Sequence, residues 1–202
     1  KKGRHQWIKS KHCLILEARR KELYRRAAQK RQCSHNQLAN HIVSLGTDVR
    51  VEEMRMKALA KRSSKTTKNK KNGRIRSKKR YGKVISNRAP ATLIATIDRK
   101  LRYIGFSIQK IDTAKVRASQ YDHISNTYKK KQLSDRWHIF PDGTRVQRDM
   151  YSGFLVFCTA EDLKHIDRDL CIRNYQKFKQ LHDQEVERLR KENKKALRWY
   201  IA

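Results

Sequence analysis

The sequence predicts a mixed α/β fold built around one long basic helix, and three observations predict it. Apolar residues recur at three- and four-residue steps through long stretches, short alternating stretches interrupt them, and no internal repeat is visible. The 202 residues suffice for one domain, or one domain with an appendage. Lys and Arg number 51 against 19 Asp and Glu, a formal charge of +32, while apolar residues make up only 37%. Self-repulsion on that scale destabilises a compact state unless a polyanion neutralises it, so nucleic acid is the leading partner class. No apolar run approaches the roughly 20 residues of a membrane span. The opening KKGRHQWIKSKHC lacks the apolar segment and small-residue site of a secretory signal. Cys13, Cys33, Cys158 and Cys171 are widely spaced, with no C-x-x-C pair, so reduced thiols in a cytoplasmic protein are expected and no Cys-based metal site is.

From about His5 to Gly46 the apolar positions Leu16, Leu23, Ala27, Leu38, Ile42 and Leu45 keep helical spacing, with Gly46 as the expected C-cap. Arg19, Arg20, Arg25 and Arg26 form a basic face suited to tracking phosphates, although a merely solvated face has the same pattern. Val49 and Val51 alternate as in a short strand that ends at Glu52 and Glu53, and a helical turn over Met56–Leu59 follows. The stretch KRSSKTTKNKKNGRIRSKKRYGKVISNR carries no acid and has few apolar anchors; residues 61–89 are expected to form a mobile loop, with Lys61, Arg62, Lys78, Lys79 and Arg80 available to a phosphate backbone.

Pro90 suits the first turn of a helix that runs to about Tyr103, with Leu93, Ile94, Ile97 and Leu101 on one face. Phe106, Ile108 and Ile111 suggest a second strand closed by Asp112-Thr113, and 114–136 read as irregular and basic. Trp137–Ile139 and Arg145–Gln147 flank Pro-Asp-Gly and predict a β-hairpin. Asp149 opens a buried helix, Thr159-Ala160-Glu161-Asp162 looks like a helix start, and a charged helix is expected from about Ile166 to Tyr200, with Tyr175, Phe178, Leu181, Val186 and Leu189 along one side.

In so basic a chain, acids at a strand end or a helix entrance are the exceptions. Two-metal phosphodiester chemistry needs several carboxylates around Mg²⁺ ions about 3.5–4 Å apart, and hard Mg²⁺ prefers oxygen ligands. Glu52 and Asp149 have that character. Taken alone, Asp149 serves equally as the N-cap of its helix, and Glu52 or Glu53 as surface charge.

Val51-Glu52-Glu53-Met54-Arg55-Met56-Lys57-Ala58-Leu59 resembles the V-E-D-L-N-x-K-G-M segment of TnpB/OrfB-type insertion-sequence proteins, which are relatives of type V CRISPR effector nucleases. Leu38-Ala39-Asn40-His41-Ile42-Val43 is similar to the end of that family's basic helix. Gly105–Asp112 resembles its G-x-x-L-x-x-I/V-D strand, Ala118-Ser119-Gln120 its T-S-Q, and Arg148–Leu155 its D-x-x-A-A-x-N-I helix. The resemblance covers the chain as far as Phe157 and implies a partial RuvC/RNase H-like fold lacking its first strands. It implies an RNA-guided DNA endonuclease using Mg²⁺ or Mn²⁺, with guide RNA and target DNA as partners, in a bacterial or archaeal, nucleoid-associated setting.

Carried over by position, Glu52 and Asp149 match the second and third RuvC carboxylates as catalytic metal ligands. Glu53, beside the first of them, is the second choice. Ser119 and Gln120 match the entry to the target-nucleic-acid-binding region, and Arg148 is assigned to nucleic acid with the cations named above. The implied organisation is a basic helix plus RuvC-II strand over 1–60, the loop over 61–89, and a RuvC helix and strand over 90–113. An inserted hairpin region over 114–147, the RuvC-III helix over 148–158 and a helical extension over 159–202 follow.

Two departures stand out. Many relatives carry two C-x-x-C pairs of a zinc ribbon between T-S-Q and the last aspartate, whereas this chain has none there, so no structural zinc is expected. The hairpin is expected to be held by Trp137, Phe140 and Tyr128, with His123 and His138 as polar surface. The first RuvC aspartate also has no counterpart near the start. The chain is therefore expected to be a carboxyl-terminal portion, inactive alone, that joins an N-terminal part of the same protein, or else a truncated relative. Tyr81, Trp137 and Tyr151 are candidates for base stacking or for packing. Composition alone favours a non-catalytic binder, either a nuclease-dead relative or a ribosomal-type RNA-binding protein, since such proteins are equally basic with similar lysine-rich loops. A DDE-type transposase fits the segments less well.

Overall fold

The computed structural model describes residues 8–78, 81–132 and 134–192. The sequence-assigned cations Lys79 and Arg80 lie outside them. The chain is mixed α/β and divides into two compact units: Lys1–Thr47 with Arg55–Ser107, and Asp48–Met54 with Ile108–Ala202.

The first unit is helical. With no Gly or Pro between Lys11 and Leu45, nothing interrupts the 35 residues of α1 (Lys11–Leu45), roughly 52 Å at 1.5 Å per residue. Its start is fixed by Ser10, whose hydroxyl accepts from the Cys13 amide at 3.2 Å. Only Ala39 is fully buried along it, and the helix packs on α4 (Pro90–Arg102). That helix buries Ile97 and Leu101, the face its spacing predicts. Gly46 follows α1 in an extended conformation, so it does not supply the left-handed cap expected of it.

α2 (Met56–Ala60) and α3 (Gly82–Arg88) pack together, and the residue at 82 has to be small. A Cβ there would sit 2.9 Å from the Ala60 carbonyl oxygen. The stretch expected to be loop throughout is thus helical over Gly82–Arg88. Arg31 donates to the carbonyls of Ser86 (3.5 Å) and Asn87 (3.1 Å), and the His35 ring meets that of Arg88 at 3.0 Å. Two basic side chains of α1 thereby satisfy the open end of α3.

The second unit is built on a parallel pair, β1 (Arg50–Glu52) and β2 (Gln109–Ile111), with Arg50 opposite Gln109 and Glu52 opposite Ile111. Asp112 ends β2 and caps α5 (Thr113–Val116) through the amides of Ala114 and Lys115. After a 3₁₀ turn at Ala118–Gln120 come two hairpins: β3 (Tyr121–Asp122) with β4 (Thr127–Tyr128), and β5 (Trp137–Ile139) with β6 (Arg145–Gln147). The region expected to be irregular thus holds a helix turn and a hairpin. The second hairpin closes as its Pro-Asp-Gly predicts: Asp142 accepts from Thr144, and Gly143 takes the positive φ of 81°.

α6 (Arg148–Phe157) supplies Tyr151 and Leu155 to a core shared with Ile111, Val116, Phe140, Val146 and Cys171. The helix start read at Thr159–Asp162 is not one. Thr159 Oγ1 bonds back to the Val156 carbonyl and closes α6, and α7 (Arg168–Glu192) begins only where Asp167 accepts from the Leu170 amide. Tyr175 and Phe178 pack on the core and Val186 and Leu189 are buried, but Leu181, expected beside them, is 57% exposed.

Candidate functional site

Glu52 and Asp149 belong to the same unit, on a strand and a helix that pack directly against each other. Strand β1 is tied to α6 by Arg50, which donates to the carbonyls of Phe157 (3.2 Å) and Thr159. Glu52 lies two residues further along β1, at the C-terminal end of the parallel pair. Its carboxyl is half-buried, and burial raises its pKa above the ordinary carboxylate range. A partly desolvated carboxylate in a chain this cationic is an unusual expense of folding energy. Glu53 is exposed, and its backbone extends the ladder through its amide to the Ile111 carbonyl and its carbonyl to Thr113 Oγ1. Successive strand residues point to opposite faces, so these two acids do not share one.

Asp149 stands in the first turn of α6 but does not cap it. That role belongs to Gln147, whose side-chain oxygen accepts from the Met150 amide at 2.8 Å. Gln147 is itself fully buried and fixed by its own amide, which donates to His182 Nε2 at 2.8 Å. The alternative that Asp149 is spent on its helix cap is thereby excluded. Its carboxylate stays exposed beside the Arg148 guanidinium at 3.4 Å, and Arg148 is fastened by its bond to the Gln132 carbonyl at 3.1 Å. Among the described residues no group of three or more His, Cys, Asp or Glu gathers in a metal-holding arrangement.

The sequence-assigned cations of the first unit are all exposed where described: Arg19, Arg20, Arg25 and Arg26 on α1, and Lys61, Arg62 and Lys78 after α2. Arg25 and Arg26 both engage Glu22, whose pKa falls to about 2 through hydrogen bonds to them, Arg25 first. Ser119 is exposed, and Gln120 is half-buried on the turn that packs against α6.

One cluster went unseen in the sequence. His123 and His138, expected at the surface, are 2% and 5% exposed. Tyr151, fully buried, links them: its hydroxyl meets His123 Nδ1 at 2.7 Å and accepts from the His123 amide at 3.1 Å, while its ring stacks on His138 at 4.7 Å. Phe140 packs edge-on against both histidines. Burial lowers the pKa of each imidazole, that of His138 to about 4 with help from the Lys131 charge. An aromatic and imidazole core therefore holds both hairpins to α6. Of the three stacking candidates, Tyr151 is a packing residue, Trp137 is half-buried with Arg145 over its ring, and Tyr81 is exposed. Tyr128, expected to help hold the hairpin, is instead 43% exposed on the neighbouring one, against Tyr121.

No protein-family model matches this chain, and no curated protein matches it significantly. No helix among the described residues is long and apolar enough to cross a membrane.

Proposed function

We propose that this chain is the carboxyl-terminal RuvC portion of a TnpB/OrfB-type, RNA-guided DNA endonuclease that hydrolyses phosphodiester bonds with Mg²⁺ or Mn²⁺. The observation that carries the reading is the pairing of a half-buried Glu52 at the end of β1 with an Asp149 relieved of capping duty, on a strand and helix in contact. The order of strand, helices, parallel strand and helix also supports a RuvC/RNase H-like arrangement. A parallel pair three residues long is small for a sheet that is normally covered on both faces, and further strands would complete it.

Two carboxylates fit a hard divalent cation, which commonly takes one or two from the protein and keeps waters. Glu52 and Asp149 would hold it, with a third acid contributed by the N-terminal part of the same protein. The bound ion would supply an activated water and a Lewis acid at the phosphate. Arg148, held beside Asp149, brings a positive charge to the site and is suited to a phosphate oxygen. The exposed arginines of α1 and the lysines after α2 present a sequence-independent surface for guide RNA or heteroduplex backbone.

A Mn²⁺ soak of crystals, read by anomalous diffraction, tests this reading. Density bound by oxygens of both Glu52 and Asp149 at about 2.0–2.2 Å is expected. Carboxylates too far apart to share an ion would leave a non-catalytic nucleic-acid scaffold.

A further inference from the structure

The hairpins β3–β4 and β5–β6, with the segment joining them, line a cleft of about 730 Å³. Five cations face it, Lys129, Lys130, Lys131, Arg136 and Arg145, against two carboxylates, a net of three positive charges. Both acids are already engaged by backbone. Asp122 Oδ1 accepts from the amides of Ile124 (2.9 Å) and Ser125 (3.3 Å), and Asp135 Oδ2 from that of Gln132 (3.0 Å).

The floor is unusual. The His138 side chain is 6% exposed, and its Nε2 has no hydrogen-bond partner among the described residues. Its nearest acid, Asp122 Oδ2, is 3.5 Å away, beyond a well-formed bond. Buried ring nitrogens are seldom left so. Beside it Lys131 is half-buried, its ammonium 5.8 Å from the centroid of the Tyr151 ring. Burial pushes that ammonium down to about 8, with Arg148 adding to the shift and Asp122 and Asp135 opposing it. An anion entering the cleft would both satisfy the imidazole and stabilise the lysine's positive charge, drawing its pKa back up.

We propose that this cleft is a phosphate-binding site, with Lys131 and His138 on its floor and Lys129, Lys130 and Arg145 on its rim. The phosphate is carried either by a single nucleic-acid strand or by a free nucleotide. Strand as the source rests on the nucleic-acid reading above; the phosphate chemistry does not. Clefts of roughly 300–1,000 Å³ enclose ligands of small-molecule size, so an unpaired strand can enter where a duplex cannot. At the mouth, Arg145 lies over Trp137 at 5.4 Å from the ring centroid, a planar stack that a base can extend.

The test uses the full chain, pyridoxal phosphate and borohydride, with labelled lysines mapped by mass spectrometry. Lys131 should label ahead of the exposed lysines. Oligothymidylate at ten times its Kd should protect it about tenfold. Replacing Lys129 and Lys130 with Gln should flatten the salt dependence of oligothymidylate binding by roughly 0.7 per lost phosphate contact. Protection by inorganic phosphate and AMP but not by oligothymidylate would support the phosphate site and overturn the strand as its source. Protection by none of the three, with an unchanged salt slope, would overturn the site. If oligothymidylate does not bind at all, the nucleic-acid reading fails, and the phosphate and AMP arms still decide the cleft.

Discussion

Replacing Tyr151 with Phe removes one oxygen from the centre of the second unit and leaves the ring in place. Stacking on His138 and edge contacts with Phe140 survive, so the loss falls on the two bonds to His123, at 2.7 and 3.1 Å. His123 is 2% exposed, so water cannot replace the hydroxyl without opening the core. A buried polar group left without its partner costs about 1–3 kcal/mol, and two such groups make about 2–6 kcal/mol. With a urea m-value of about 2 kcal/mol/M, the midpoint should fall by about 1–3 M at constant m. Urea unfolding of the full chain by circular dichroism measures it, with Tyr128→Phe, 43% exposed, as the control expected to change less than about 0.5 kcal/mol. A Tyr151→Phe variant as stable as the parent would refute the claim that this hydroxyl joins the hairpins to the helix carrying Asp149.

Further consequences can be checked with the same protein. His138 and His123 have pKa values held below the ordinary 6.5 by burial, so each contributes stability above that pH and loses it as pH falls toward the folded value. The urea midpoint should therefore drop between pH 6.5 and about 4, and His138→Phe should flatten that drop; a flat profile in the parent would contradict the burial. Arg50→Ala, which strips two carbonyls at the end of α6 of their donor, should cost about 1–3 kcal/mol in thermal unfolding. Ala39→Leu, at the one fully buried position of α1, should cost about 1–3 kcal/mol through overpacking against α4, and a neutral result would mean the two helices are not in close contact.

Much of the architecture could be read from spacing, and the misreadings share a cause. The long helix, the 90–102 helix, the hairpin at Pro-Asp-Gly and the helix at Asp149 each carry their own local signal. The α3 helix does not: its seven residues offer only Val84 and Ile85 as anchors, and α1 supplies the side chains that close it. Thr159–Asp162 has cap chemistry, but Thr159 turns it backwards onto α6, and Asp167 supplies the effective cap.

At the candidate site the sequence distinguished Glu52 and Asp149 by their positions, while Gln147 as the cap beside Asp149 needed the fold. His123 and His138 look like surface histidines because Tyr151, the partner they share, lies 28 and 13 residues away in sequence. No periodicity encodes contacts across such distances.

The central claim is that Glu52 and Asp149 serve one metal ion. Fe²⁺ in place of Mg²⁺ cleaves added hydrogen peroxide to hydroxide and a hydroxyl radical, ascorbate returns the Fe³⁺ formed to Fe²⁺, and the radicals cut the backbone beside the bound ion, so mapping the fragments locates it without needing a complete enzyme. The account predicts cuts near residues 52 and 149 together, suppressed by excess Mg²⁺ and lost in both Glu52→Gln and Asp149→Asn. Cuts elsewhere, or cuts indifferent to both substitutions, would contradict it.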